Sequence, residues 1–277
     1  MDFESFIEYA LEEDCPQGDI TSESIIPSQQ KAKALLLCKQ NLVLAGIGQT
    51  QRIFKKVDSE IEFKILAEDG KSYKKGDYIL EILGKARSLL KAERIALNIL
   101  QRMCAIASKT KEYVNACKGS QTKILDTRKT TPLMRELEKY AVLQGGAYNH
   151  RFSLSDEMMI KDNHLEVLKY DFAKAIDLAN THHPDKKLVI EVTQLGHVKA
   201  VLPFADKVTR IMLDNMSNEM IKASLVILQD KIPVEVSGGI TLERIPSLCE
   251  LGVNYISVGA LTHTVKAADI SMEMQYI

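Results

Sequence analysis

The feature that most constrains the fold is an alternation of short apolar runs and helical patterns that begins after Gly119-Ser120. The candidate strands are Lys123–Asp126, Met158–Lys161, Leu188–Val192, Arg210–Asp214, Val234–Ser237 and Tyr255–Gly259. After the first two, these runs are β-branched or strongly apolar, as is typical of parallel strands covered on both faces. There is no Rossmann glycine fingerprint, so the pattern predicts an α/β barrel, and six strands are too few to close it. We therefore expect an open, incomplete TIM-like barrel.

The first hundred residues follow a different pattern. Ile61, Phe63 and Ile65 alternate with charged residues, and a turn at residues 76–77 leads into the run Tyr78–Ile82. Two more short strands are predicted within residues 32–46. Residues 88–118 contain neither proline nor glycine, which predicts a long, partly buried helical stretch, broken once. The N-terminal part should therefore contain antiparallel sheet with flanking helices.

The composition excludes several classes of protein. The chain carries 36 Lys and Arg against 37 Asp and Glu, a net charge of −1, whereas non-specific nucleic-acid binders have a basic surplus. No apolar run approaches the roughly 20 residues needed to cross a bilayer, and the acidic N-terminal residues are unlike a signal peptide. The 5 cysteines are scattered and lack metal-ligand spacing. We expect a cytoplasmic protein that binds neither nucleic acid nor membrane.

Polar residues recur where the six candidate strands end, at intervals of 35, 30, 23, 23 and 22 residues. Carboxyl ends of parallel strands converge on one mouth of a barrel, where barrel enzymes hold their active sites. Each residue could instead cap an exposed strand end. However, all six recur at the same position, the carboxyl end of a strand, which favours a single active site. The strand-end residues are Asp126, Lys161, Glu191, Asp214, Ser237 and Gly259.

The last two strands lead into glycine-containing loops, Val236–Ile240 and Ser257–His263. Backbone N–H groups at glycines can approach a phosphate closely, and in barrels this pair of late loops is the usual phosphate site. Tight-turn glycines explain either loop alone, but the pair favours phosphate binding. The candidate residues are Ser237, Gly238, Gly239, Gly259, Ala260 and, as a weaker candidate, His263.

Cationic side chains are concentrated between residues 124 and 164, although acidic residues there match them in number. Arg128 and Lys129 follow a strand end, His150 and Arg151 follow a double glycine, and Lys161 lies at the next strand end. Arginine suits a bidentate carboxylate or phosphate, and lysine supplies a point charge. These five are the candidates for binding a polyanionic ligand.

A helical segment in the same region carries Arg135, Glu136, Glu138 and Lys139. Side chains three and four positions apart are neighbours on a helix surface. For most of these residues we therefore predict surface ion pairing within the helix and no part in the site.

A set of short motifs runs in order along almost the whole chain. These motifs are Gly18–Ser22, Ala92–Arg94 with Leu97-Asn98, Asp126–Pro132, Glu138–Val142, Asn149–Arg151, Ile160–His164, Met212–Asn215, Ser237–Ile240 and Val258–His263. Together they resemble the quinolinate phosphoribosyltransferase family, the carboxylating nicotinate-nucleotide pyrophosphorylases. Leu133 departs from the pattern, because glycine is common there in the family.

The resemblance implies an N-terminal α/β sandwich domain followed by an open α/β barrel. We place the first domain at residues 1–103 and the barrel at residues 104–264, and we expect the tail, residues 265–277, to pack back on the first domain. The resemblance also implies an assembly that is at least dimeric, in which Arg94 completes the site of the neighbouring subunit.

The reaction implied by the resemblance joins quinolinate to the ribosyl group of 5-phosphoribosyl 1-pyrophosphate and requires Mg²⁺. Nicotinate mononucleotide, pyrophosphate and CO₂ are the products, as in de novo NAD synthesis. We predict that Lys129, Lys161, Glu191 and Asp214 are catalytic, and that the two acids hold the ribose hydroxyls or the metal. Lys161 or water supplies the final proton.

Three alternatives remain open at this level. A related phosphoribosyltransferase of the same fold, such as the molybdenum-associated relatives, would use another acceptor. A generic phosphate-binding lyase or isomerase would explain the two late loops but not the stretch Asp126–Thr130. A barrel that binds a nucleotide without turnover would be a scaffold.

Overall fold

A computed structural model describes residues 2–277, which divide into two units. The first contains the described chain up to Lys111 together with Thr130–Gly146 and Thr264–Ile277. The second contains Glu112–Lys129 and Ala147–His263. The first unit therefore includes a segment that follows the first strand of the second unit along the chain.

The helices and strands are numbered in chain order. The helices are α1 (Phe3–Asp14), α2 (Ile20–Ile25), α3 (Ile47–Val57), α4 (Ala86–Ala116), α5 (Arg135–Gln144), α6 (Asp162–Val167), α7 (Phe172–His182), α8 (Leu195–Val201), α9 (Asn218–Leu228), α10 (Ile245–Glu250) and α11 (Ala260–His263), with 3₁₀ turns at Leu202–Phe204 and Leu242–Arg244. The strands are β1 (Lys31–Cys38), β2 (Leu42–Val43), β3 (Glu62–Ile65), β4 (Ser72–Tyr73), β5 (Tyr78–Lys85), β6 (Lys123–Leu125), β7 (Met158–Ile160), β8 (Leu188–Val192), β9 (Arg210–Asp214), β10 (Val234–Ser237), β11 (Tyr255–Ser257) and β12 (Ile270–Tyr276).

The first unit is built on an antiparallel sheet in the order β12-β1-β5-β3. Alternate residues of β1 are buried, from Ala32 to Cys38, because successive side chains of a strand point to opposite faces. The alternation predicted around Ile61 holds only in part. Ile61 is buried, but Ile65 is 55% exposed, because β3 is an edge strand with a neighbour on one side only.

The long helix α4 is continuous over 31 residues, so the break that we expected in it is wrong. The absence of glycine and proline removes the residues that most disfavour a helix interior. Its buried residues recur at helical spacing, including Leu89, Leu100 and Met103. Among residues 2–277, no helix is both long enough and apolar enough to span a membrane.

The second unit contains a fully parallel sheet whose described strands follow the order β6-β11-β10-β9-β8-β7. The sheet stays open between β6 and β7, and near that opening Leu125 pairs with Tyr148 as an isolated bridge. The open α/β barrel predicted from the sequence is confirmed. Three strands, β8, β9 and β10, have the predicted bounds, and the other three end one or two residues earlier.

One of the helical patterns that alternate with the strands, residues 165–180, forms two helices. Lys169 and Tyr170 between α6 and α7 adopt left-handed backbone conformations, with φ of 52° and 58°. Such conformations are unfavourable inside a right-handed helix, so the chain turns there although its apolar periodicity continues.

Candidate active site

The carboxyl ends of the second unit's strands surround a cavity of about 820 Å³. Every strand-end and loop residue that we proposed as a binding residue in this unit contributes to its wall. The lining residues are Thr127, Arg128, Lys129, His150, Arg151, Met159, Lys161, Glu191, Met212, Asp214, Asn215, Ser237, Gly238, Gly239, Ile240, Thr241, Ser257, Gly259, Ala260 and His263.

Arg94 is the candidate that this cavity does not include. It lies on α4 in the first unit, in a groove of about 300 Å³ formed with α1 residues and Met134. Its side chain is 61% exposed, and the nearest acid in the same chain, Glu93, is 3.8 Å away. The guanidinium is thus largely solvated within its own subunit.

Two guanidinium groups give the cavity an unbalanced positive charge. The buried Nε of Arg128 has no hydrogen-bond partner among the described residues. Burial lowers the pKa of Arg151, and the nearby charge of Arg128 lowers it further. Neighbouring cations that are partly withdrawn from water favour a bound anion, since an anion removes the repulsion and supplies acceptors.

The two lysines of the site have different surroundings. Lys161 forms a close ion pair with Glu191, whose side chain is only 9% exposed. Lys129 is exposed, and within residues 2–277 its Nζ makes no ion pair. The hydroxyl of Thr262 donates to the Lys129 carbonyl over 2.8 Å and fixes the backbone there. Lys129 therefore offers an uncompensated charge, whereas an anion reaching Lys161 competes with Glu191.

Asp214 at the end of β9 is held by the next residue. The side-chain amide of Asn215 donates to Asp214 Oδ2 over 2.8 Å, and Asn215 has φ of 53°, a left-handed conformation that asparagine tolerates. Asp214 Oδ1 makes no hydrogen bond in the described part of the protein, so it is available to a ligand.

The loop after β10 requires glycine for steric reasons. Gly238 has φ of 86°, and a Cβ there would lie 2.4 Å from Asn215 Oδ1. Gly239 also has positive φ, at 58°. The Asn215 N–H donates to the Ser237 carbonyl over 3.0 Å, so the β9 and β10 loops are locked together.

The two glycine loops differ in their distance from a following helix. Helix α11 begins at Ala260, directly after Gly259, whereas α10 begins only at Ile245. The dipole of a following α-helix is therefore adjacent only to the second loop, where α11 is 4 residues long. Backbone N–H groups remain the main anion donors at Ser237–Gly239.

Asp126, a strand-end residue in the sequence analysis, is fully buried and lies outside the cavity. Its Oδ1 accepts the backbone N–H of His150 over 2.7 Å. The Arg151 N–H donates to His150 Nδ1, also over 2.7 Å. Asp126 thus fixes the backbone that presents His150 and Arg151.

A buried polar network next to His150 was missed by the sequence analysis. Glu235 Oε1 lies 3.3 Å from His150 Nε2 and accepts the Ser257 hydroxyl, and Glu235 Oε2 lies 2.7 Å from Arg210 Nε. Arg210 also donates to Glu157 over 3.0 Å. The available signal was an acid in the middle of the apolar run 234–237, which we passed over because we considered only strand ends.

The surface pairing predicted for α5 is wrong for Glu138 and Lys139, which are 0% and 1% exposed. Glu138 accepts from Arg102 Nε over 2.7 Å and is approached by the N–H of Thr131 at 3.3 Å. Since Arg102 lies on α4, the tertiary partner replaces pairing within the helix.

Comparison with known proteins gives a consistent result over the whole length. The family model for the quinolinate phosphoribosyl transferase N-terminal domain matches residues 19–104, and that for the C-terminal domain matches residues 106–273. A probable nicotinate-nucleotide pyrophosphorylase (carboxylating) of Bacillus subtilis is 40% identical over 95% of this chain and 90% of its own. A quinolinate phosphoribosyltransferase (decarboxylating) of Nicotiana tabacum is 38% identical over 99% and 82%. The crystal structure of NadC from Streptococcus pyogenes aligns with a TM-score of 0.94 at 40% identity, covering 99% of this chain and 97% of that one.

Proposed function

Because this chain belongs to the quinolinate phosphoribosyltransferase family, we propose that it transfers the phosphoribosyl group of 5-phosphoribosyl 1-pyrophosphate to quinolinate. The products are nicotinate mononucleotide, pyrophosphate and CO₂, and the protein is a pentosyltransferase of NAD biosynthesis. The observation that carries this proposal is a single cavity whose wall contains both two neighbouring guanidiniums and two glycine loops.

The two guanidiniums of the cavity suit the acceptor. Quinolinate carries two adjacent carboxylates, and Arg128 and Arg151 together offer planar donors to both. Lys129 adds a point charge that no acid in the described chain neutralises. Because the cavity has two neighbouring cations, it matches an acceptor with two carboxylates better than an acceptor with one.

The glycine loops suit the phosphate end of the donor. We assign the 5′-phosphate to the backbone of Ser237–Gly239 and of Gly259-Ala260, with His263 at the rim. We assign the ribose to Glu191 and Asp214, which line the same cavity and can accept its hydroxyls.

The donor set also fits a magnesium ion held mostly by the substrate. No group of three or more His, Cys, Asp or Glu side chains in the described residues forms a metal site of its own. Glu191 and Asp214 would supply hard oxygen ligands of the kind Mg²⁺ prefers, with Asp214 Oδ1 the freer donor. When bound, the ion would stabilise the negative charge of the departing pyrophosphate.

The protein's own groups assist the charge changes of the reaction. Positive charge develops at the anomeric carbon as pyrophosphate leaves, and the carboxylates of Glu191 and Asp214 stabilise it. Ribosylation then leaves the pyridine ring cationic, so the ring itself accepts the electron pair released as the 2-carboxylate departs. Lys161 or water protonates the resulting carbanion.

The proposal is tested by incubating the purified protein with quinolinate, phosphoribosyl pyrophosphate and Mg²⁺ and quantifying nicotinate mononucleotide by chromatography. Product formation above the enzyme-free blank supports it. Product with nicotinate or nicotinamide in place of quinolinate would indicate a different acceptor. Binding of phosphoribosyl pyrophosphate without any product would indicate a scaffold.

The two site lysines are tested by Lys129→Ala and Lys161→Ala. Both variants should fold normally and lose most activity, because each removes a cation that the substrates contact. Lys207→Ala is the matched control, since Lys207 pairs with Asp177 on an exposed surface. If the site variants and the control turn over alike, the two lysines are only strand-end groups.

We also propose that the enzyme is a homodimer or larger homo-oligomer in which Arg94 completes the neighbouring cavity. The exposure of Arg94 within its own subunit supports this role. Arg94→Ala and Lys129→Ala should each be inactive alone. After mixing with subunit exchange, about a quarter of wild-type activity should return, because half of the dimers then hold one complete site. If activity does not return after mixing, Arg94 does not act in the neighbouring subunit's site.

We propose a cytoplasmic location for this activity. All five cysteines are free, although Cys117 Sγ and Cys249 Sγ are in contact at 2.8 Å, and Cys38 and Cys104 are buried. Free thiols are the usual state in a reducing compartment, which supports this location.

A further inference from the structure

A buried acid behind the cavity has no part in the reaction described above. Glu235 lies on β10, is 0% exposed and does not line the cavity. Its carboxylate nevertheless contacts His150, which does line the cavity, and Ser257. A buried carboxylate is unfavourable unless its partners compensate, so its presence in an otherwise apolar strand calls for a functional reason.

The contacts of His150 determine which ring nitrogen carries a proton. The backbone N–H of Arg151 donates to Nδ1 over 2.7 Å, and the Glu157 carboxylate, 3.9 Å from the same nitrogen, is too far away to accept a hydrogen bond from it, so Nδ1 must hold a lone pair. The other nitrogen, Nε2, faces the Glu235 carboxylate at 3.3 Å, so it must carry the proton. Arg210 Nη2 lies 3.4 Å from the same Nε2, but a neutral ring has a single lone pair, already used at Nδ1. The arrangement therefore holds a neutral imidazole in the Nε2–H form.

The same arrangement positions Arg151. Two acceptors hold the backbone at this point: Asp126 for the His150 N–H and His150 Nδ1 for the Arg151 N–H. The Arg151 guanidinium then donates to the carbonyl of Glu157 over 2.8 Å. A ring that turned over or took a proton at Nδ1 would lose the second acceptor and release Arg151.

The surroundings of Glu235 decide its ionisation. The carboxylates of Glu157 and Glu235 both face the guanidinium of Arg210, whereas the Arg151 guanidinium donates to the backbone carbonyl of Glu157. Burial would raise the pKa of Glu235, but the hydrogen bond from His150, the electrostatic interactions with His150 and Arg210, and the hydrogen bond from Ser257 hold it below its ordinary value. Glu235 is therefore ionised and acts as a fixed acceptor.

We propose that Glu235 is a positioning residue that fixes His150 as a neutral Nε2–H ring and, through it, places Arg151 for the acceptor's carboxylate. This inference rests on the proposed function, and it assigns His150 a hydrogen-bonding role in place of the cationic one that the sequence predicted. The cavity then binds the acceptor dianion through arginine and lysine charges alone.

The tautomer is tested on the wild-type protein by NMR with ¹⁵N-labelled histidine. The chain contains 6 histidines, and His150→Gln identifies the signals of His150. We expect a protonated Nε2 and an unprotonated Nδ1 at neutral pH, without any substrate. A ring protonated at both nitrogens, or at Nδ1 alone, overturns the proposal, whatever the activity of the protein.

The positioning role is tested by the kinetics of Glu235→Gln. The KM for quinolinate should rise by about tenfold while kcat falls less than about threefold, because the loss falls on acceptor binding. The KM for phosphoribosyl pyrophosphate should stay within about twofold.

Glu157→Gln is the matched control, because it removes the other acid that faces both Arg210 and, at 3.9 Å, the His150 ring, and leaves the Glu235–His150 contact intact. It should lower stability comparably without the change in KM. Glu235→Gln combined with His150→Gln should be no worse than His150→Gln alone, since both act through one contact. Equal KM changes in the two glutamate variants, or fully additive effects, overturn the positioning role. An inactive wild type would instead reject the proposed function.

Discussion

Two clusters of charge, one in each unit, use the same residue types in opposite ways. In the first unit, Arg102 and Glu138 face each other, with Arg102 Nη2 2.6 Å from the fully buried Glu138 Oε1. In the cavity of the second unit, Arg128 and Arg151 lie close together, and the buried Nε of Arg128 lacks a hydrogen-bond partner among the described residues. The first cluster is complete within the protein, and the second is complete only with an anion.

The difference shows how to separate structural charge from functional charge. A buried ion pair whose partners satisfy each other contributes to the fold, and removing one member leaves the other buried and unpaired. Cations held together without acids carry an unfavourable interaction that the fold must tolerate. Removing one of them should harm binding and leave stability intact.

The largest expected effect is on catalysis by Arg128→Ala. We expect kcat/KM to fall by about a thousandfold, equivalent to about 4 kcal/mol, because the variant removes a planar donor from a partly desolvated site. Its urea midpoint should stay level or rise, since the repulsion with Arg151 disappears. Steady-state kinetics and urea denaturation measure both quantities. If the variant were active but unstable, Arg128 would contribute to the fold, as Arg102 and Glu138 do, and not to substrate binding.

The next effect is on stability. Glu138→Ala should lower the free energy of unfolding by about 3 kcal/mol, because it leaves Arg102 next to a buried cavity without its acid. Glu136→Ala on the same helix is the control, since Glu136 is exposed and should change stability by less than about 0.5 kcal/mol. Equal urea midpoints for the two variants would show that Glu138 contributes no more than a surface ion pair within the helix, as its sequence spacing suggested.

How much the sequence could predict depends on where each signal lies. Strands β8, β9 and β10 were predicted to the residue, because a short run dominated by apolar and β-branched residues marks a strand covered on both faces. The convergence of their polar ends on one cavity follows from the same parallel order. Local periodicity and topology are therefore sufficient for the barrel and for most of the cavity wall.

The failures have a shared physical cause. Glu138 has a partner on α4, 36 residues away, and no spacing rule within a helix reveals it. Glu235 sits inside a strand, where its partners come from three other segments. The partners of buried charges cannot be inferred from residues nearby in the sequence. The sequence therefore shows which charged residues are present, but it does not show which of them are paired in the fold.

A smaller effect is expected at Gly238, where substitution distinguishes the cost of backbone strain from a change in the shape of the anion site. Gly238→Ala should raise the KM for phosphoribosyl pyrophosphate by about tenfold, because its Cβ would displace Asn215 and with it the loop next to Asp214. Gly252→Ala is a close control, since Gly252 has φ of 79° and nothing within 4 Å of the added Cβ. Both variants should lose about 1 kcal/mol of stability from the positive φ, but only Gly238→Ala should change the KM. If the KM changed in both glycine variants, the change would be a consequence of backbone strain alone.

The smallest effect concerns the loop beside the structural cluster. Leu133 has φ of 66° and is 69% exposed, so its side chain gains little from packing while its backbone is strained. Glycine adopts this conformation without a Cβ clash, and Leu133→Gly should raise the free energy of unfolding by up to about 1 kcal/mol. Leu133→Ala keeps the Cβ and should show no gain, which separates relief of strain from removal of an exposed leucine. Thermal unfolding of the three proteins in parallel decides between these causes, and a gain in the alanine variant would assign the effect to the side chain.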